Sequence, residues 1–279
     1  MRYYIVVSLF IMVIFHACKN KPDSNQDQTE ITLKKPLIVE NIQVDTCYLG
    51  CNKKDKNCTY ISISYPKIKQ APFQTLMDSL NLSVQNFILA PFLEVKSNSI
   101  TDLSSSFFKQ FDKMNDKSDP MPWYLERNVL FKDLGNGIYT IVCNENSFVG
   151  GAHPDFFSLF VNFDSLGNAL QIDDLLIANW AHDLSPIAER NFRIQQNIHP
   201  ETPLDEATYF VFPDEKRGEK MGQFKFPTNF LIKNEGIYFM YNRYEIAPSS
   251  NGISEFLLKW TEISKYIKPS GPLGYLLNT

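Results

Sequence analysis

Apolar and polar residues alternate along this chain with two different periods. Between Pro36 and Tyr65 the period is two: Ile38, Glu40, Ile42 and Val44 form one register, and Tyr60 to Tyr65 reads "YISISY". This predicts two strands joined across a polar loop. From Ala71 to Leu93 the period lengthens. Phe73, Leu76, Met77, Leu80, Val84, Phe87 and Ile88 recur at steps of three and four, the mark of a helix with one apolar stripe. Leu103, Phe107, Phe108, Phe111 and Met114 predict a second helix over Thr101–Met114. Both stripes read as core faces.

After the turn-rich "DKSDPMPW" the period returns to two. "WYLERNVLFKDL" and "IYTIVCNENSF" flank Gly135-Asn136-Gly137, a hairpin turn. The stretch "FVGGAHPDFFSLFVNFD" follows. Gly150 and Gly151 permit positive φ, and Pro154 keeps His153 extended. Beyond them Phe157, Leu159, Val161 and Phe163 share one strand face, with Phe156, Ser158, Phe160 and Asn162 on the other. A strand apolar on both faces is expected at the centre of a sheet, with "NALQIDDL" returning as its partner. A helix is predicted over Ala181–Ile198, ended by Pro200. Last come a hairpin around Asn234-Glu235-Gly236 and a strand in "GISEFLLKW".

Strands, helices, strands, a helix and strands in that order predict an α+β fold: two adjoining domains, with antiparallel sheets and helices packed on one side. The expected organisation is a signal peptide at 1–17, a tether at 18–36, an N-terminal domain at 37–125 and a C-terminal domain at 126–279.

Composition changes this picture in two places. The chain has 279 residues, 44% of them hydrophobic, enough to bury a sizeable core. Its net charge is −4, and no Lys/Arg cluster lies on a predicted helix, which excludes a nucleic-acid partner. The N-terminus carries one arginine, an apolar run from Tyr3 to Phe15, then Ala17-Cys18. That run falls short of the about 20 residues a spanning helix needs and suits an export signal. Ala17-Cys18 resembles the end of a bacterial lipobox, so Cys18 is expected to carry lipid and hold the chain to the membrane by that anchor alone. Lys19 after the cysteine favours the outer membrane or periplasmic face. The polar segment after it reads as a flexible tether. Of the remaining Cys47, Cys51, Cys58 and Cys143, an exported chain favours disulfides, and Cys51 with Cys58 is the favoured pair across "NKKDKN". A structural zinc site is the competing reading.

Candidate chemistry is sparse. His153 and Asp155, two apart on an extended segment, would face the same side as an imidazole oriented by a carboxylate. No nucleophile motif accompanies them, nothing singles out metal ligands, and no cofactor is implied. The alternative to a tight turn into a core strand is therefore His153 acting as base on cell-wall glycan or ester groups. Asp173 and Asp174, being adjacent, point apart, and one is expected at a helix N-terminus. In "NRYEIAP" a strand would place Arg243 and Glu245 on one face as a surface ion pair and Tyr244 on the other.

Together, "VGGAHPDFFSLFVNFD" and "NFLIKNEGIYFMYNRYEIAPSSNG" resemble the Gly-Gly-Ala-His and Tyr-Glu-Ile-Ala-Pro landmarks of a C-terminal domain of unknown function. That domain occurs in the lysozyme-sensing anti-sigma factor of the sigma-V system and in many exported lipoproteins. It usually follows a PdaC-like domain, which "CTYISISYPKI" and "LNLSVQNFI" resemble. The resemblance spans residues 37–268 and adds Gly150, Gly151, His153, Asp155, Tyr244 and Glu245 as candidate binding or catalytic positions. The family's aromatic after Ala-Pro is replaced here by Ser249-Ser250-Asn251. The separate catalytic domain of the deacetylase is absent from this sequence. What the resemblance implies is a non-catalytic recognition module of the cell envelope, its partner a lysozyme-like protein or a cell-wall glycan. The alternative is a hydrolase or deacetylase using His153.

Overall fold

The computed structural model describes residues 35–114, 121–213, 216 and 218–278. The expected signal peptide, Cys18 and nearly all of the tether lie outside these residues. Residues 34–279 form one compact unit. Among the described residues eight strands make two sheets, one of five strands and one of three.

The first sheet has the order β1 (Ile38–Cys47), β2 (Tyr60–Gln70), β3 (Tyr124–Gly135), β4 (Ile138–Phe148), β5 (Asp155–Phe163). Helices α1 (Gln74–Ile88) and α2 (Ile100–Met114) connect β2 to β3. With a helical crossover of this length the two strands can pair in parallel, and they do, Tyr60 opposite Tyr124. The α+β fold with two sheets is as expected, and the parallel β2–β3 pair is the one departure from antiparallel pairing among the named strands. The same sheet corrects the boundary near residue 125, because it joins the residues on both sides of it.

The apolar stripes of both helices pack on one face of that sheet. Ile61, Ile63, Leu76, Leu80, Leu103 and Leu125 are all buried there. Ser99 caps α2 by accepting the amide N–H of Asp102 at 3.0 Å. The loop between β1 and β2 is closed by a disulfide between Cys51 and Cys58, their Cα atoms 5.6 Å apart, while Cys47 and Cys143 are free.

The second sheet, β6 (Phe230–Lys233), β7 (Gly236–Tyr241) and β8 (Ser254–Lys259), is antiparallel throughout. Between the sheets the chain forms α3 (Ile172–Leu175) and α4 (Trp180–Gln195), and after β8 the short α5 (Trp260–Ile263). Asp174 is the third residue of α3 and accepts the amide N–H of Gln171, while Asp173 accepts the Trp180 indole N–H at 2.6 Å. Residues 168–170 make only a single bridge, Phe163 to Ala169, in place of the expected partner strand. Phe192 of α4 anchors the second core, its ring edge-on to those of Tyr209, Phe210, Phe224, Tyr241 and Phe256. Gly236 is required by space: a Cβ there would sit 2.1 Å from the Leu258 carbonyl oxygen.

Strand β5 is the last strand of its sheet, not a central one. Its outer edge is occupied by asparagine side chains instead of a sixth strand. Asn229 accepts the amide N–H of Phe160 at 2.8 Å and donates to the Ser158 carbonyl at 2.9 Å. Asn162 donates to the Phe230 carbonyl and accepts the amide N–H of Ile232. The Asn229 bonds satisfy backbone groups of β5 that would otherwise be left unpaired, while Asn162, itself in β5, meets the backbone of β6.

Candidate functional site

The turn that opens β5 is built from backbone need. Gly150 and Gly151 have φ of 89° and 104°, a region that side chains disfavour. His153 and Asp155 are both exposed, and they do not form the expected pair. The His153 Nδ1–H donates to the Pro154 carbonyl at 3.2 Å. Asp155 accepts the amide N–H of Phe156 at 2.9 Å. His153 precedes the strand, so the alternation that would have aligned the two side chains does not reach it.

The Pro154 carbonyl also accepts a hydrogen bond from Arg243 Nη1 at 2.8 Å. Asn242 bonds Ser158 twice, accepting its amide N–H at 2.7 Å and donating to its carbonyl at 3.0 Å. The two sequence landmarks therefore meet in space and clamp one another.

Residues 242–245 form a turn after β7, with Glu245 N–H bonded to the Asn242 carbonyl and the Glu245 carboxylate accepting the Asn242 N–H at 2.8 Å. This corrects the expected strand and its Arg243–Glu245 ion pair. Tyr244 takes a left-handed φ of 61° at the tip and is exposed. Desolvation pushes the Glu245 carboxyl above its ordinary range, opposed by the Asn242 N–H and by Lys225. Among the described residues no group of three His, Cys, Asp or Glu could hold a metal ion.

A different place in the fold concentrates chemistry. Helix α1 covers the middle of the first sheet but leaves the inner face of β5 open, so Phe157 and Leu159 remain 42% and 37% exposed. Between α1 and β5 lies a cavity of about 430 Å³ whose walls include Asn86, Phe87, Phe157 and Leu159, with Arg127, Cys143 and Glu145 also lining it. A second cavity of about 490 Å³ adjoins it and shares Asn86, Ala90 and Pro91.

Arg127 is 1% exposed, on the core face of β3. It survives burial because its donors are met. Nε donates to Glu145 Oε2 at 2.7 Å, and Nη1 donates to the carbonyls of Ile88 and Ala90, each at 2.9 Å. Those carbonyls end α1, where the helix dipole favours a cation. The guanidinium also lies 5.9 Å from the centroid of the Phe87 ring.

An arginine has five N–H donors, and these bonds use three. Nη2 makes no hydrogen bond to the described residues. Neither does Glu145 Oε1. Sequence reasoning passed over both residues. The available signal was a charge in an apolar register: Leu125, Arg127 and Val129 on one strand, Ile141, Cys143 and Glu145 on the next.

Comparison with known proteins divides the chain between residues 155 and 173, a gap that contains nearly all of β5, the last strand of the first sheet. Residues 52–155 match the family described as deacetylase PdaC, and residues 173–261 match a protein of unknown function, DUF3298. No curated protein matches the chain. A crystal structure of a DUF3298 family member from Bacteroides fragilis is similar at a TM-score of 0.65 and 16% identity, covering 88% of this chain and 99% of that one. A DUF3298 family protein from Pseudomonas aeruginosa is similar at 0.60 and 17% identity, covering 85% and 96%. At these identities the likeness is one of fold.

Proposed function

We propose that this chain is a lipid-anchored protein of the cell envelope that binds and does not catalyse, its partner a cell-wall glycan or a lysozyme-like protein. The PdaC and DUF3298 matches support a cell-envelope role of otherwise unknown specificity. The observation that carries a binding role is the groove between α1 and β5: an apolar wall of Phe157 and Leu159 over a buried, incompletely used Arg127–Glu145 pair. Concave, mostly apolar sites with a few fixed polar groups are the usual form of a ligand site.

The hydrolase alternative gains no support from geometry. His153 is the one histidine within the PdaC-matched segment, and its Nδ1 bonds its neighbour's carbonyl. Anchoring through Cys18 rests on the sequence alone.

Two measurements test this reading. Titration calorimetry of the full chain in detergent, against soluble peptidoglycan fragments and against lysozyme, should give saturable binding to at least one without turnover; binding to neither overturns it. Cells fed labelled palmitate should label the wild-type chain and not Cys18→Ser.

A further inference from the structure

Helix α1 starts on a residue that its own stability does not favour. Phe73 is the N-cap, extended at φ −128° and ψ 144°, and it makes no capping hydrogen bond. Ser, Thr, Asp or Asn would meet one of the orphan N–H groups there, and phenylalanine meets none. The ring gains little from the core in return, being 40% exposed.

Other exposed apolar side chains and a set of lysines surround it. Gln70 closes β2 three residues earlier, pairs with Ile38 and donates through Nε2 to the Pro36 carbonyl at 3.1 Å. Ile38 and Val39 are themselves 48% and 36% exposed. Lys35, Lys67 and Lys69 are exposed beside them. Of the carboxylates nearby, Glu40 is held by Lys69 at 2.6 Å and Asp78 accepts a hydrogen bond from Gln74 Nε2 at 2.8 Å. In a chain of net charge −4, this corner therefore sets an excess of cations around an apolar tip.

Its size and place favour one kind of occupant. Three part-exposed side chains fall well short of the about 800 Å² that a stable protein interface takes from each partner. They suit the headgroup boundary of a bilayer, where apolar side chains enter and lysines meet phosphates. The corner is also where the chain arrives from Cys18, with only residues 19–34 between. That length reaches at most about 60 Å, which keeps the corner near an anchored Cys18 at an effective concentration on the order of millimolar. A weak surface then suffices.

We infer that the corner formed by Phe73, Ile38 and Val39, ringed by Lys35, Lys67 and Lys69, seats the folded domain on the surface of an anionic bilayer. This rests on the lipid-anchored reading above and adds to it the face that the domain turns to the membrane.

The test places the full acylated chain in vesicles of phosphatidylcholine and phosphatidylglycerol that contain a phospholipid with a photoactivated diazirine near its headgroup. Cross-linked residues are mapped by mass spectrometry. Leu49 and Ile194 serve as references, being 88% and 68% exposed, with Leu49 just past the other end of β1. The expected result is labelling of Ile38, Val39 and Phe73 at least about tenfold above both references. Vesicles of phosphatidylcholine alone should lower that labelling by about fivefold. Phe73→Ser supplies a capping hydroxyl, so its unfolding midpoint should stand at or above that of the wild type while labelling of Ile38 and Val39 falls at least about threefold. Ile38→Gln, at an exposed position, should lower the labelling of Phe73 to the same extent. Labelling no higher than at Leu49 and Ile194, equal labelling in the two kinds of vesicle, or labelling unchanged by both substitutions overturns the inference. A chain whose mass shows no acyl group but whose corner is still labelled would keep this surface and sink the anchored reading. An acylated chain with an unlabelled corner would do the reverse.

Discussion

Arg127 on β3 and Glu145 on β4 are direct cross-strand partners, and the irregularity between Asp133 and Gly135 is what makes them so. Gly135 pairs with Ile138, and carrying that register unbroken along the strands would set Arg127 opposite Asn146. The bulge shifts the pairing by one residue, and Arg127 then meets a carboxylate on its own face of the sheet.

Removing one partner of this pair leaves the other charge buried without compensation. Glu145→Gln should therefore destabilise the chain by about 3 kcal/mol, the lower end of the range for such pairs because Glu145 is 19% exposed. Arg127→Met should lose more, since the Ile88 and Ala90 carbonyls also lose their donor. Urea unfolding of both single variants and the double variant measures this, with a coupling of about 1–3 kcal/mol expected between the two sites.

Phe192 has no exposed surface and touches five aromatic rings of the second core. Phe192→Ala should cost about 3–5 kcal/mol, whereas Ile194→Ala, two residues along the same helix and 68% exposed, should stay within about 0.5 kcal/mol. Equal effects in thermal unfolding would show that this ring cluster does not anchor the sheet to α4.

The disulfide between Cys51 and Cys58 closes a short loop, seven residues apart in sequence. Chain entropy for a loop of that size gives about 2.5 kcal/mol. The Cys51→Ser/Cys58→Ser double variant should fall short of the oxidised wild type by roughly that amount, and reducing agent should lower the wild type alone.

Much of this fold could be read from local pattern, and what could not be read depended on distant residues. The stripes of α1 and α2, and the hairpin at Gly135-Asn136-Gly137, are encoded within a few turns of chain. That β5 is an edge strand is not. Its polar partners Asn229 and Asn242 come about 70 and 84 residues later, and in sequence they look like any loop asparagines. Alternation also said nothing about residue 153, just outside the strand, or about the turn at Tyr244, whose left-handed φ interrupts an otherwise strand-like run. The buried Arg127 was legible as a charge in a core register. Glu145 carried the same mark on the next strand, but their pairing did not show, because the bulge that aligns them leaves no sequence mark beyond a glycine already assigned to the turn.

The free thiol of Cys143 links stability to pH in a direction that can be worked out. Burial alone pushes it from an ordinary value of 9.0 up to about 12. Between those values the unfolded chain loses the thiol proton and the folded chain keeps it, so ionisation favours the unfolded state. The stabilisation is complete below pH 9 and is lost as pH rises toward about 12. Cys143→Ala would remove this dependence along with the thiol, so the difference in unfolding free energy between wild type and variant should shrink steadily over that interval. In a Cys47→Ser background at pH 8, labelling by a thiol reagent should be limited by unfolding, because the folded thiol is both buried and protonated. Rapid labelling in the absence of denaturant would mean that the groove above Cys143 opens without the core coming apart.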